Sequence, residues 1–170
     1  SWGGPTSQAL TDAFNTVATY GRGGLGTIVF ASAGNSASGY HLPYTLDTTN
    51  FASGEYYIQW VYAKDPAGTA GEDTVWLSNV VLPTSTTEPE RVRFDQAELP
   101  YEWTTDGYAD WSIVDDPAHA YGVGRYVAKA GTIGNSQWTY IQSAPFDLVP
   151  GAPLEFAAWI STEKGTTTWF

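Results

Sequence analysis

Few side chains in this sequence have the type and spacing to do chemistry. Gly34-Asn35 puts one side-chain amide at the end of the apolar run Thr27–Ala33. The same pair is also what a strand-ending turn looks like, because Gly and Asn tolerate unusual backbone angles. The two histidines stand in Gly39-Tyr40-His41-Leu42-Pro43 and Pro117-Ala118-His119-Ala120. Their Gly and Pro neighbours predict loops. Asp115-Asp116 is an adjacent carboxylate pair. Glycoside hydrolysis needs two carboxyls facing each other across a sugar, whereas neighbours on a strand point to opposite faces, so the pair is not an acid/base couple. Glu72, Asp73, Asp95 and Asp147 sit near predicted strand ends, without the spacing of an EF-hand loop. Trp60, Trp76, Trp103, Trp111, Trp138, Trp159 and Trp169 are, as a group, candidates for binding sugars or peptides. A sandwich core also uses large aromatic residues, and that role accounts for most of them. Arg22, in a run of glycines, reads as a surface or capping residue.

Composition bounds what these residues can serve. The chain has 170 residues, 42% of them hydrophobic and 15% charged, which makes it globular. That length suffices for one buried core, or for one domain and a piece of another. The formal net charge of −11 argues against nucleic-acid binding, since nothing could neutralise a row of phosphates. It suits attraction for cations such as Ca²⁺. With no cysteine there is neither a disulfide framework nor a thiolate metal site. No apolar run approaches membrane-spanning length. Ser1-Trp2-Gly3-Gly4-Pro5 reads as the middle of a domain and Trp169-Phe170 as the middle of a strand, as expected of a piece of a larger protein.

The elements that must position these groups fall into two kinds. Leu10, Ala13, Phe14 and Val17 recur at helical spacing and predict a helix over 7–20, opened by Pro5-Thr6-Ser7 and stopped by Gly21. Thr27–Ala33 predicts a strand buried on both faces, as in a parallel sheet. Residues 1–36 are thus an α/β fragment. From Gly39 onward there is no helical period. Tyr56, Ile58, Trp60 and Tyr62 alternate with Glu55, Tyr57, Gln59 and Val61, which is strand periodicity. Further runs are predicted over 74–82, 109–114, 124–130, 137–143 and 153–161. Pro83–Pro89 predicts a linker or long surface loop. Many short strands with frequent turn signals point to a β-sandwich or jelly roll.

Residues 1–36 resemble the subtilisin-like serine proteases. Ser1-Trp2-Gly3-Gly4-Pro5 is similar to their substrate-binding segment, Gly21-Arg22-Gly23-Gly24-Leu25-Gly26 to the turn of the kexin-like and related branches, and Ala33-Gly34-Asn35 to their oxyanion segment. The resemblance implies that Ser1, Trp2 and Gly3 bind substrate in the parent protein, and that Asn35 donates to the oxyanion. A pre-aimed amide of this kind contributes roughly 2.7–4 kcal/mol. The triad that such enzymes need is missing. Neither histidine is in a His-Gly-Thr setting and no Gly-Thr-Ser occurs. The parent reads as a secreted serine endopeptidase acting on protein or peptide, and this chain alone as inactive.

Residues 94–170 resemble the front half of a MAM-like jelly-roll domain, through Phe94-Asp95 to Leu99-Pro100, Trp103, Gly107, Trp111, Gly131–Gln137, Leu154–Phe156 and Ile160–Glu163. The back half of the same family is resembled earlier, by Gly54–Asp65 and Gly71–Val80. The expected order is therefore a protease fragment (1–36), the back half (37–84), a linker loop (85–93) and the front half (94–170). One explanation is a circularly permuted jelly roll inserted after Asn35; the other is two tandem half-domains. A lone half-sandwich exposes its apolar face and unpaired edges, which favours the permuted domain. The resemblance implies a structural Ca²⁺, with Asp95, Asp73 and Asp147 as its expected ligands. Two functions stay open. One is an accessory domain of a secreted protease. The other is an extracellular adhesive β-sandwich that self-associates by strand exchange.

Overall fold

The computed structural model describes residues 40–64, 71–122 and 124–161. The expected helix over 7–20 and strand over 27–33 lie outside these residues. All elements within them are strands: β1 (Tyr40–Leu46), β2 (Gly54–Tyr56), β3 (Gln59–Ala63), β4 (Thr74–Leu82), β5 (Glu90–Arg91), β6 (Thr104–Gly107), β7 (Ser112–Asp115), β8 (Tyr126–Lys129), β9 (Trp138–Gln142), β10 (Phe146–Leu148) and β11 (Leu154–Ser161). Every pairing is antiparallel.

The largest sheet runs β1-β11-β4-β8-β7. Val81 of β4 pairs with Glu155 on one side and Arg91 on the other, so β5 extends the edge that β8 begins. A second sheet runs β3-β9-β6, and β10 pairs with β2. The described chain is mostly β, in antiparallel sheets consistent with a β-sandwich. Strands on either side of Pro83–Pro89 pair directly: β3 with β9, β2 with β10, and β4 with β8 and β11. They also share one core, which contains Ile58, Leu77 and Val80 together with Ile113, Ile141 and Phe156. Aromatic rings tie the sheets together across it. Trp60 of β3 stacks on Trp103 at 5.6 Å and meets Phe156 of β11 edge-on at 5.8 Å. Such pairs add roughly 0.5–1.5 kcal/mol beyond the area they bury.

The run 74–82 forms β4 with the predicted bounds, and 153–161 forms β11 to within a residue. The run Tyr56–Tyr62 has its predicted faces, with Ile58, Trp60 and Tyr62 buried. It is nevertheless two strands, because the partner changes along it. The Ile58 amide donates to Ser143 Oγ rather than to a ladder. His41, expected in a loop, lies in β1 opposite Trp159. Pro43 sits in the same strand, which is tolerated because β1 is a sheet edge. The expected linker 85–93 folds back on β4. Val92 N–H donates to the Val80 carbonyl at 2.9 Å, and the Ser85 hydroxyl accepts from the amides of Thr87 and Glu88.

β4 also carries a bulge. Strict alternation would put Leu77 and Val80 on opposite faces, yet both are in the core with Leu82. The register against β11 slips there by one residue, from Ala157↔Ser78 to Glu155↔Val81. Asn79 absorbs the extra residue with φ 52°.

Candidate functional site

The sheet β3-β9-β6 turns one face to the core and one outward. Its middle strand β9 alternates accordingly: Thr139 and Ile141 are buried, whereas Trp138 is 41% exposed. Register places the outward residues in rows. Gln59, Gln142 and Thr104 stand abreast, then Val61, Tyr140 and Asp106, then Ala63 and Trp138. Tyr108 completes the last row, because its N–H donates to the Trp138 carbonyl at 2.9 Å. The rings of Trp138 and Tyr140 are parallel within 2°, with centroids 5.9 Å apart. Tyr108 stands edge-on to Trp138 at 6.3 Å and 89°. Tyr108 is 61% exposed and Val61 52%. At the other end of the face Gln59 Nε2 donates to Gln142 Oε1 at 2.7 Å.

Why Tyr108 is held there follows from Gly107. Its φ of +117° is one that L side chains rarely adopt, and an added Cβ would lie 2.5 Å from the Trp138 carbonyl oxygen. Glycine therefore lets β6 close against β9 and turn the chain so that Tyr108 flanks Trp138.

Of the tryptophans proposed as a group, Trp60, Trp76, Trp103 and Trp111 are buried. Trp138 is the one that stands among the exposed large hydrophobics of the described residues. Trp169 lies outside them, as do Asn35, Ser1, Trp2, Gly3 and Arg22. The three acids expected to share a cation occupy three segments. Asp73 precedes β4 and accepts from Lys64 Nζ at 2.5 Å. Asp95 is exposed after β5, and Asp147 is exposed in β10 opposite Glu55. Among the described residues no group of three or more His, Asp or Glu side chains converges on a metal-sized site. Asp115 and Asp116 diverge: Asp115 takes a bidentate contact from Arg125, while Asp116 accepts from Trp76 and faces His119.

His119 is in a loop, as predicted, but it is packed rather than free. Nδ1 lies 2.7 Å from Asp116 Oδ2 and Nε2 lies 3.1 Å from Glu72 Oε2. The ring stacks on Trp76 and meets Trp159 edge-on at 5.1 Å. With both nitrogens engaged by carboxylates, neither is turned to a hydroxyl nucleophile. Nothing local in the sequence signals this cluster, because its members come from three separate segments. The Tyr108 wall and the glutamine pair are missed for the same reason.

No family model, curated protein or solved structure matches the chain.

Proposed function

We propose that this chain is a non-catalytic piece of a secreted subtilisin-like serine protease. Residues 1–36 carry the parent's oxyanion donor Asn35 and its substrate-binding Ser1, Trp2 and Gly3. The β-sandwich is an accessory domain, a jelly roll inserted in circularly permuted order, which binds a ligand outside the cell and holds the parent near its substrate. Permuted order is supported by the pairing of β3 with β9 and of β4 with β11 across the 83–89 segment. Insertion and permutation succeed at exposed loops and where a domain's ends are close. The binding role rests on one observation above all, the outward cluster of exposed Tyr108 and Trp138 with half-buried Tyr140. A contiguous exposed aromatic patch costs hydration free energy and commonly marks an interaction surface.

The test is retention of the purified full chain on immobilised extracellular polymers, sugar and protein, alongside a fluorogenic peptide assay. Retention without peptidase activity is expected. Peptide hydrolysis lost in Asn35→Ala would overturn the non-catalytic reading. Failure to bind any polymer would overturn the accessory role.

The same cross-linker pairing favours a second reading, an adhesive sandwich that exchanges strands between copies. Its mass in solution separates the two. A monomer supports the closed domain, and open polymers support exchange.

A further inference from the structure

We infer that the outward face of β3-β9-β6 binds a neutral pyranose chain at the cluster of Trp138, Tyr140 and Tyr108. This rests on the accessory-domain reading above and names the class of ligand. Three features of the face carry it.

First, the face offers side chains only. β9 has β3 on one edge and β6 on the other, so its backbone N–H and C=O groups are used in ladders. Extended peptides are typically captured by adding a strand to an open sheet edge, with affinity from main-chain hydrogen bonds. That mode is closed to a ligand lying on this face. Sugars need none of it, since their hydroxyls bond to side chains and their C–H faces lie on aromatic rings.

Second, the polar groups suit hydroxyls. The contact between Gln59 and Gln142 uses one N–H of Gln59 and one lone pair of Gln142. The Gln142 amide nitrogen and the Gln59 amide oxygen have no other partner among the described residues. The pair thus presents donors and an acceptor side by side, and a hydroxyl both donates and accepts. Thr104 stands beside them. Along the strand, amides at one end and rings at the other suit a ligand that is polar at its rim and apolar on its face.

Third, the face is nearly uncharged. Across positions 59, 61, 63, 104, 106, 108, 138, 140 and 142 the one ionisable acid is Asp106, and there is no Lys, Arg or His. A polyanion such as a sulfated or uronate-rich chain finds no cation there, and the net charge of −11 repels it. A neutral chain meets no such barrier. Trp and Tyr are stiff, and Tyr108 is fixed by its backbone bond to Trp138, so little ordering opposes binding.

The experiment titrates the full chain with cellohexaose and, separately, chitohexaose, following tryptophan fluorescence and calorimetry. Gelatin and heparin are titrated in parallel. Saturable binding of either hexasaccharide is expected, weakened roughly tenfold in Trp138→Ala and less in Trp138→Phe. Tyr101→Ala, exposed elsewhere, is expected to bind as the parent sequence does. Should Trp138→Ala fail to fold, Trp138→Phe and Tyr108→Ala provide the readout. Binding of gelatin or heparin that depends on Trp138, with no hexasaccharide binding, overturns the neutral-sugar class while leaving the accessory role standing. Hexasaccharide binding indifferent to Trp138 and Tyr108 overturns the site. A folded chain that binds none of the four probes overturns the inference and the binding role together.

Discussion

His119 lies face to face on Trp76, with ring centroids 4.1 Å apart and planes 12° apart. The stack caps the outer side of the largest sheet, where Trp76 is only 2% exposed although it points away from the main core. Around it Val127 and Ala120 are also buried, and Lys129 Nζ sits 5.1 Å from the Trp76 ring. A histidine loop thus seals a second, smaller apolar cluster.

Removing that ring should be felt at Trp76. His119→Ala deletes the stack and the contacts to Asp116 and Glu72. A ring pair is worth roughly 0.5–1.5 kcal/mol and a net hydrogen bond about as much. A loss of about 2 kcal/mol is expected by urea unfolding, with a red shift of the emission as Trp76 becomes wet. His119→Phe keeps the stack and should lose about half as much. Equal losses in the two variants would show that the carboxylates, not the stack, hold the loop.

The bulge at Asn79 predicts an unusual order of tolerance. Asn79 sits inside a long strand, yet at φ 52° a β-branched residue is strained. Asn79→Val, which β-propensity alone would favour, should destabilise by about 1–2 kcal/mol. Asn79→Gly should be close to neutral, less the Arg91 contact to the Asn79 side chain. Thermal melts of the two variants decide it, and a stabilised Asn79→Val would mean that the register slip lies elsewhere.

Asn79 also marks the limit of what periodicity could reveal. β4 was legible because apolar and β-branched residues flank Ser78-Asn79 on both sides, but that polar pair alone does not tell a bulge, which realigns Val80 and Leu82, from an ordinary outward-facing position. β1 was hidden by Pro43, which only an edge strand accepts. β5 and β10 are too short to express a period. In β9 the outward face carries Trp138 and Tyr140 and the inward face Thr139 and Ile141, so alternation could not tell which face is buried. The ligand face was therefore present in the sequence only as one tryptophan among several. Tyr108 and Gln59 reach it through long-range pairing, and Gln142, on β9 itself, gains its meaning only from Gln59 beside it.

The Lys64–Asp73 pair is unequal in burial, with side chains 6% and 23% exposed. That asymmetry sets the order of two variants. Asp73→Asn keeps the left-handed backbone at 73 (φ 51°) but leaves an ammonium buried and unmatched. It should cost about 3 kcal/mol. Lys64→Met leaves a carboxylate that water can still reach and that Tyr62 also donates to, and should cost about 1 kcal/mol. The double variant should recover most of the loss. Denaturant midpoints give the cycle directly, and equal single costs would mean that the pair is effectively solvated.

Asp47 gives the pH dependence at the end of β1. Its Oδ1 accepts from the Thr49 hydroxyl at 2.5 Å and from the Thr49 amide at 2.9 Å. The hydroxyl, and after it the amide, lowers the Asp47 carboxyl below its ordinary value. A carboxyl lowered on folding contributes stability that is present above the ordinary value of about 3.9 and is lost as pH falls through the lowered one. An NMR titration should find Asp47 below the ordinary aspartate range, and Thr49→Ala, which removes the hydroxyl but not the amide, should bring it part of the way back. An Asp47 that titrates normally would mean that the turn is not formed in solution.

Gly107 links the fold to the ligand face. A methyl group there would lie 2.5 Å from the Trp138 carbonyl oxygen and 2.7 Å from Thr139 Cα, both backbone atoms of the neighbouring strand. Neither can move without opening the β6–β9 ladder, and φ +117° strains any L residue besides. Gly107→Ala should therefore destabilise by about 3 kcal/mol. It should also free Tyr108 from its place beside Trp138, since the bond from the Tyr108 amide to the Trp138 carbonyl depends on the same close approach. Any binding that depends on Trp138 should then weaken even at temperatures where the variant is fully folded, whereas Tyr101→Ala, on a different surface segment, should leave binding and stability alone. Measuring melting temperature and ligand affinity on the same samples separates the two effects. A variant that melts earlier but binds unchanged would remove Tyr108 from the site and leave Trp138 and Tyr140 to carry it.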